Sequence, residues 1–315
     1  MRPRPTHEIT IPHSHGLPCE GKELIFYYHL PPLTLHAGSR QLPLMIILTG
    51  LDGYRTELAV WIQGFSLNDV AVIILEIPGT GDSPAAPNDP TSPDRQWSSL
   101  FDWIDQQPEL DRKRRAVWGF STGGFYAIRL AHTHRERVKG VVALGGGCHW
   151  MFSPEWLSKV NHLEYPFDLA DTLASKFGYE NDLEKFKKEA FGKFSLLEDG
   201  TLDKPCSRLL LVNGTDDEYA LRIPSPPFPL PHSPTPTIHC TNIQLTFLNY
   251  RIFPIDDYHL LLAHGSPREI RLIPGRKHMG EPESFLICLQ WLHDSLGLSG
   301  DPKDQIELLP TRARY

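Results

Sequence analysis

A short glycine-flanked segment, Gly119-Phe120-Ser121-Thr122-Gly123, matches the pattern that holds a nucleophilic serine in a turn between a strand and a helix. The strand-like run AVW precedes the segment, and a helical pattern follows it. In such a turn the serine hydroxyl is exposed at the carboxyl edge of a sheet, above the amino end of the helix. Serine is a weak nucleophile at neutral pH, so Ser121 needs a general base and an acid that orients the base.

Two later loops contain candidates for the base and the acid. The loop NGTDDE follows the strand-like run SRLLLV, and the loop PGRKHMG follows REIRLI. Of the 15 histidines, His278 lies after the last core strand and before the closing helix, and we predict it to be the general base. Asp217 lies three residues after Gly214, the usual position of the acid, so it is favoured over Asp216, which stays open as the alternative.

An acyl-transfer site also needs two backbone N–H groups that stabilise the developing oxyanion. The N–H of Thr122, directly after the serine, is the first candidate. The loop Gly50-Leu51-Asp52-Gly53 permits a sharp approach of the backbone, and we predict the N–H of Leu51 as the second donor. The alternative is that this loop is only a tight turn. The turn IPGTGDSP, at residues 77–84, is predicted to have a structural role.

The elements that must position these residues form a βα pattern. Short β-branched runs alternate with helical patterns from residue 42 onward, which is typical of a mostly parallel sheet. Residues 7–31 read instead as an antiparallel pair at one edge of the sheet. The predicted fold class is therefore α/β, an α/β-hydrolase fold whose mostly parallel sheet is flanked by helices. The predicted strands are LPLMIILTG, VAVIILEIPG, RRAVWGF, VKGVVALGG, SRLLLVNG and REIRLIPG, and ESFLICLQWLHDSLG is the closing helix.

Residues 148–206 interrupt the βα pattern with aromatic and amphipathic helical sequence, which predicts a helical cap between two core strands. Residues 1–147 and 207–300 then form the core, and the polar residues 301–315 are predicted to be a flexible tail. The aromatic residues of the cap either face a flat substrate or only attach the cap to the core. They are Trp150, Phe152, Trp156, Tyr165 and Phe167.

Residues 219–251 do not fit the pattern. They contain seven of the 29 prolines, two charged residues, and no Asp, Glu, Lys or Gly. Compact domains rarely contain so long a connection without secondary structure. We interpret the segment as a retained, translated intron because its removal joins NGTDDE to IFPIDDYHLLLAHGSP; the alternative is a native Pro-rich surface insertion.

Charge, apolar runs and cysteines exclude several other classes of protein. The 31 Lys and Arg against 38 Asp and Glu give a formal net charge of −7, and no basic stripe is present, so no nucleic acid partner is expected. The apolar runs are strand-sized, so no membrane span is expected. The amino-terminal residues contain no apolar signal region, and the five cysteines form no CxxC pair. We therefore predict a cytoplasmic protein with no metal and no cofactor.

Six segments together resemble the fungal yellowish-green-type hydrolases, which shorten a polyketide precursor of dihydroxynaphthalene melanin. The resemblance runs from about residue 6 to residue 297, and the STGG and GRKHMGEPE segments are its most specific parts. It implies that Ser121, Asp217 and His278 are the catalytic residues. The six segments are LTGLDGYRTE, EIPGTGDSP, WGFSTGGFYAIRLAHTHRERVKGVVALGGGCH, LLLVNGTDDE, IFPIDDYHLLLAHGSP and PGRKHMGEPESF.

The resemblance also implies a reaction and a partner. Ser121 would attack a ketone of a heptaketide naphthopyrone, the leaving carbon would depart as an enolate that His278 protonates, and water would hydrolyse the acyl-enzyme. The implied partner is a small-molecule aromatic polyketide, and because family members use a helical segment ahead of the sheet to form dimers, a homodimer is left open. Two other functions stay open, because fold and triad do not choose the substrate. They are a carboxylesterase or thioesterase, and a catalytically impaired fold that only binds a ligand.

Overall fold

The structure, a computed structural model, describes residues 5–32, 41–161, 166–180, 182–217, 257 and 268–309. Within these ranges eight strands form one sheet in the order β1-β2-β4-β3-β5-β6-β7-β8. β1 and β2 form an antiparallel pair at one edge and β2 pairs antiparallel with β4, whereas the remaining pairs are parallel. The strands are β1 His7–Pro12, β2 Glu23–His29, β3 Leu42–Leu48, β4 Ala71–Leu75, β5 Leu110–Phe120, β6 Gly140–Leu144, β7 Arg208–Gly214 and β8 Arg268–Ile273. The predicted mostly parallel sheet with an antiparallel edge pair is confirmed.

Helices cover both faces of this sheet. Helices α3 and α4 pack on one face, and α2 and α8 pack on the other. The helices are α1 Arg55–Leu58, α2 Ile62–Leu67, α3 Ser92–Ile104, α4 Thr122–Thr133, α5 Pro154–Leu157, α6 Leu169–Ala174, α7 Leu183–Phe194, α8 Glu283–Leu296 and α9 Pro302–Glu307. Within the described ranges, every helix is too short or too polar to span a bilayer.

The apolar strand runs follow from burial on both faces. In β3, Leu44 and Ile46 point into the core beneath α3 and α4, whereas Met45 and Ile47 point into the core beneath α2 and α8. Successive side chains of a strand point to opposite faces, so a strand covered on both sides has no polar alternation. This is why LPLMIIL reads as a continuous apolar run.

The chain between β6 and β7 forms a separate helical layer, which contains α5, α6 and α7. An aromatic cluster attaches this layer to the core. The ring of Phe152 is fully buried, and its centroid lies 5.2 Å from those of both Phe125, on α4, and Phe177. The predicted helical cap is therefore present, while its exact limits at residues 148 and 206 stay a prediction.

The turn at residues 77–84 packs between the core and the cap. Gly79 has a positive φ of 76°, and a Cβ at this position would lie 1.9 Å from the carbonyl oxygen of Lys176 in the cap. Beside the turn, the buried guanidinium of Arg55 donates to Glu76 at 2.6 Å and to Asp82 at 2.7 Å. The contacts of this turn are those of a structural element.

The structure differs from the expected flexible tail at residues 301–315. Residues Pro302–Glu307 form α9, whose Gln305 is buried and donates a hydrogen bond to His293 at 3.0 Å. Gln305 also packs on Gly64 of α2, where a Cβ would lie 3.0 Å from the Gln305 Cβ. A polar helix that packs through few residues resembles a tail in composition, which explains the error. Residues 310–315 and 219–251 lie outside the described residues.

Candidate active site

Ser121 lies in the turn between β5 and α4, as the sequence predicts. Its φ of 52° and ψ of −119° place it in a backbone region that residues with a side chain rarely adopt. The turn is held on both sides, because the N–H of Ser121 donates to Leu144 O at 2.7 Å and its carbonyl accepts from Gly124 N at 2.7 Å. The hydroxyl is thus presented at the carboxyl edge of the sheet.

The two glycines of the motif are required by close backbone contacts. A Cβ at Gly119 would lie 2.1 Å from the carbonyl oxygen of Gly123, and a Cβ at Gly123 would lie 2.2 Å from that of Thr49. Real Cβ atoms do not approach oxygen so closely, so any side chain at either position would displace α4 from the sheet. The spacing of the motif therefore reflects how tightly α4 packs behind the serine.

His278 connects the serine to a carboxylate. Its Nε2 lies 2.9 Å from the Oγ of Ser121, and its Nδ1 lies 2.9 Å from Oδ2 of Asp217. With the proton of the neutral ring on Nδ1, the ring donates to Asp217 and accepts the hydroxyl of Ser121 on Nε2. This arrangement can take a proton from the serine.

The two candidate acids lie in different environments. Asp217 is 3% exposed and faces His278, whereas Asp216 is exposed and its Oδ1 accepts a hydrogen bond from the Thr215 hydroxyl at 2.9 Å. The geometry therefore favours Asp217 as the acid, and Asp216 belongs to a surface turn.

We expect Asp217→Asn to lower kcat/KM by about 10³- to 10⁴-fold, because an amide in place of the carboxylate no longer stabilises the imidazolium or its tautomer. Asp216→Asn is the matched control and is expected to change kcat/KM by less than about two-fold, since the side chain lies at the surface. Steady-state kinetics on one acyl substrate measure both values. A larger loss of kcat/KM in Asp216→Asn than in Asp217→Asn would mean that Asp216 is the acid that orients His278.

Asn213 is a site residue that the sequence reasoning missed. It is 1% exposed, and its amide nitrogen donates to Oδ2 of Asp217 at 2.8 Å, the same oxygen that faces His278. Its Oδ1 accepts from Met279 N at 2.8 Å and from Gly214 N at 2.9 Å. The side chain therefore holds the acid loop and the histidine loop in one arrangement. Only the adjacency of β7 and β8 reveals this role.

The two predicted oxyanion donors lie beside the serine. Thr122 is the first residue of α4, where N–H groups have no partner inside the helix. The loop that contains Leu51 packs on the serine turn, since a Cβ at Gly50 would lie 3.4 Å from Phe120 O and 3.6 Å from the Cβ of Ser121. Leu51 and Thr122 both line the cleft in front of Ser121. Their role as oxyanion donors stays a prediction.

The cleft has a volume of about 630 Å³, counted with the space open to solvent at its mouth. Its lining is mainly apolar and comes from both the core and the cap. The apolar side chains are Leu51, Met151, Trp156, Leu169 and Leu173, and the polar ones are Ser121, Thr122, Asn213, Asp217, Asp257 and His278. Among the described residues, no group of His, Cys, Asp and Glu could hold a metal ion.

The cap aromatics mostly do not face this cleft. Of the five that the sequence suggests, Trp156 lines it. Phe152 is buried in the aromatic cluster, Trp150 packs on His149 with ring centroids 4.6 Å apart, and Phe167 packs against the core. Tyr165 lies outside the described residues. Phe152 and Phe167 therefore attach the cap to the core, whereas the ring contact of Trp150 lies within the cap.

A family model described as "Esterase FrsA-like" matches residues 14–220, about two thirds of the chain. Curated relatives include three bacterial proteins named Esterase FrsA. That of Photorhabdus laumondii is 36% identical over 110 residues, which are 35% of this chain and 25% of the relative. The Vibrio parahaemolyticus protein is 29% identical over 51% of this chain and 37% of its own length. The Enterobacter sp. strain 638 protein is 26% identical over 60% of this chain and 46% of its own length. The chain spans less than half the length of these relatives.

Solved structures share the fold at low sequence identity. AbyA5 superposes with a TM-score of 0.67 at 16% identity, covering 96% of this chain and 74% of AbyA5. The 2,6-dihydroxy-pseudo-oxynicotine hydrolase superposes with a TM-score of 0.61 at 16% identity, covering 95% of this chain and 70% of that hydrolase. Est1E from Butyrivibrio proteoclasticus superposes with a TM-score of 0.52 at 15% identity, covering 96% of this chain and 99% of Est1E. These likenesses, together with the sheet order, confirm the predicted α/β-hydrolase fold.

Proposed function

The chain belongs to the FrsA-like esterase family, and we propose that it is a serine hydrolase that forms an acyl-enzyme on Ser121. One observation carries the proposal: the hydrogen-bonded series from Ser121 through His278 to Asp217, at 2.9 Å for each step, opens into an apolar cleft. A strained serine with a base and an oriented acid is the arrangement that acyl transfer needs.

The first half-reaction forms the acyl-enzyme. Ser121 Oγ attacks the carbonyl carbon of the substrate while Nε2 of His278 takes the hydroxyl proton. The tetrahedral oxyanion accepts hydrogen bonds from the N–H groups of Thr122 and Leu51. The bond to the leaving group then breaks, and the leaving atom takes the proton from His278. Asp217 stabilises the imidazolium throughout this step.

The second half-reaction releases the acid. Water attacks the acyl carbon and gives its proton to His278, and a second tetrahedral oxyanion forms in the same position. Its collapse breaks the bond to Ser121 Oγ, which recovers the proton from His278. The balance is one acyl compound plus one water giving one carboxylic acid plus the protonated leaving group.

We propose that the scissile bond is the carbon–carbon bond of an acyl group on an aromatic polyketide of the naphthopyrone type, in pigment or melanin biosynthesis. The six sequence segments that resemble the yellowish-green-type hydrolases support this substrate, and the mainly apolar cleft suits a flat neutral molecule. An ester substrate is the second candidate, and the names of the curated relatives favour it. Cytoplasmic location and a homodimer stay predictions from the sequence.

Chromatography of two reactions tests the proposal, one with a naphthopyrone and one with a simple activated ester, each run beside Ser121→Ala as the blank. Turnover of the naphthopyrone to an acid and a polyhydroxynaphthalene supports carbon–carbon hydrolysis. Turnover of the ester alone supports an esterase. Absence of both reactions would leave a fold that only binds a ligand and would contradict the proposal.

We also propose that residues 219–251 are foreign to the folded protein. The family match ends at residue 220, and Asp217 and Asp257 line the same cleft although 33 of the residues between them belong to this segment. Removal would leave six residues between the two aspartates, a length of chain that spans up to about 23 Å. A connection of that reach is compatible with two aspartates that line one cleft.

A variant without residues 219–251 is expected to be more active and more stable than the full chain. The connection from β7 to β8 would shorten from 53 residues to 20, which lowers the closure cost by about 1 kcal/mol. Melting temperatures and kcat/KM of the two proteins measure the effect. A deletion that abolishes activity, or transcripts that all retain the segment, would establish it as native.

A further inference from the structure

Asp257 is a buried carboxylate in the cleft that the proposed mechanism does not use. It is 2% exposed and lines the cleft together with Ser121 and His278. Its Oδ2 accepts hydrogen bonds from Cys148 N at 2.6 Å and from His149 N at 3.0 Å, and its Oδ1 accepts one from Trp150 N at 3.1 Å. Three successive backbone N–H groups at the start of the cap therefore fix the direction of the carboxylate.

A glycine loop after β6 separates Asp257 from the histidine. A Cβ at Gly145 would lie 3.1 Å from Cε1 of His278, and a Cβ at Gly147 would lie 3.2 Å from Oδ2 of Asp257. Both glycines line the cleft. Neither glycine has a side chain that could enter the space beside His278 or beside Asp257, so the cleft that holds Ser121 extends along this loop to Asp257.

The charge and the hydrogen bonds of Asp257 determine which donor groups of a substrate its carboxylate can bind. Burial raises the pKa of this carboxyl, while the three N–H donors and the nearby His149 act in the opposite direction. Three donors are best satisfied by the ionised form, which accepts at about four positions. Among the described residues, the thiol of Cys148 also lies beside the carboxylate; its pKa is raised by burial and by Asp257, so it stays a weak neutral donor. A hydroxyl is a stronger hydrogen-bond donor than a thiol, so a substrate hydroxyl can donate to the acceptor position of the Asp257 carboxylate that the three N–H groups do not use.

We propose that Asp257 is a specificity-determining residue, which accepts a hydrogen bond from a hydroxyl group of a neutral acyl substrate and so places the carbonyl against Ser121. The inference rests on the proposed serine hydrolase and names its substrate class: hydroxylated, apolar and without a negative charge. An anionic substrate group at the same position would face the buried carboxylate and be excluded. A phenolic hydroxyl on an aromatic ring meets these requirements.

The first test uses the full chain and a series of naphthyl acetates with one hydroxyl at different ring positions, each paired with its methyl ether and its carboxylate analogue. The methyl ether keeps the oxygen and nearly the same electronic effect, adds one methyl group and has no donor, so the comparison with Asp257→Asn below separates the loss of the donor from the added size. At least one hydroxylated ester is expected to exceed its methyl ether by about ten-fold or more in kcat/KM, as a hydrogen bond to a charged group allows. The carboxylate analogue is expected to be the poorest substrate.

The second test compares Asp257→Asn with Asp216→Asn, an exposed aspartate that serves as the matched control. The hydroxyl-to-ether ratio is expected to fall to within about three-fold of unity in Asp257→Asn, with a relative gain for the carboxylate analogue, and to stay unchanged in the control. A purely structural carboxylate would lower the rates on all substrates equally and leave the ratio intact, which would overturn the inference. If Asp257→Asn does not fold, the hydroxyl-to-ether ratio of kcat/KM in the wild type tests the inference on its own: a ratio of about ten or more supports it, and a ratio near one overturns it.

The two proposals fail in different ways. Equal turnover of every hydroxylated ester and its ether by the wild type would overturn the role of Asp257 and leave the serine hydrolase standing. No turnover of any ester, together with no labelling of Ser121 by a fluorophosphonate, would overturn the serine hydrolase and with it the role of Asp257.

Discussion

Ser121→Ala is expected to lower kcat by about 10⁴- to 10⁶-fold on any substrate that the wild type turns over, because the acyl group has no other acceptor. The loss of stability is expected to stay within about 1 kcal/mol, since the side chain is only half-buried and, among the described residues, makes one hydrogen bond, to His278. Steady-state kinetics and thermal melting measure the two quantities on the same sample.

The matched control is Ser121→Cys, which keeps a nucleophile of similar size at the same strained position. It is expected to retain slow acyl transfer that Ser121→Ala lacks, since a thiolate is intrinsically nucleophilic. Near-normal activity of Ser121→Ala would show that the covalent mechanism is wrong. A folded, inactive Ser121→Ala beside a partly active Ser121→Cys is the result that the mechanism requires.

His278→Ala is expected to be as damaging as Ser121→Ala, because the serine is not deprotonated without its base and no donor protonates the leaving group. The double variant is expected to be no worse than either single variant, since nucleophile and base act as one unit. Rates of the two single variants and the double variant, corrected for the uncatalysed reaction, measure this coupling. A double variant far slower than both singles would mean that the two residues act independently.

The serine turn could be predicted from the sequence because its requirements are local. Gly119 and Gly123 are needed wherever a helix packs this closely behind a strand, so the motif and its neighbouring patterns suffice. Asp217 and His278 could be predicted because each directly follows a core strand, and the carboxyl ends of parallel strands meet at one edge of the sheet. Loop position alone therefore brings the three residues together.

Asn213 and Asp257 could not be assigned in this way, because their roles depend on contacts across the fold. Asn213 needs the register that pairs it with Leu272 on β8, which places the histidine loop beside it. Asp257 meets the backbone of Cys148, which lies 109 residues earlier in the chain. Neither contact leaves a periodic or compositional pattern in the sequence.

The cap shows where composition misleads. Trp156 and Phe152 lie four residues apart and belong to the same aromatic segment, yet Trp156 lines the cleft and Phe152 is buried against α4. Which ring faces the substrate is decided by how the short helices pack, and short helices have weak patterns. The same reasoning applies to α9, a short helix that is held to the core by Gln305 together with only one apolar residue of its own, Ile306.

Intact mass spectrometry of the full chain after treatment with a fluorophosphonate tests the central claim most directly. The proposed mechanism predicts one adduct, mapped by peptide analysis to Ser121, absent from Ser121→Ala and formed far more slowly in His278→Ala. Labelling at another serine, or an unlabelled protein that still turns over substrate, would contradict the assignment of Ser121 as the nucleophile.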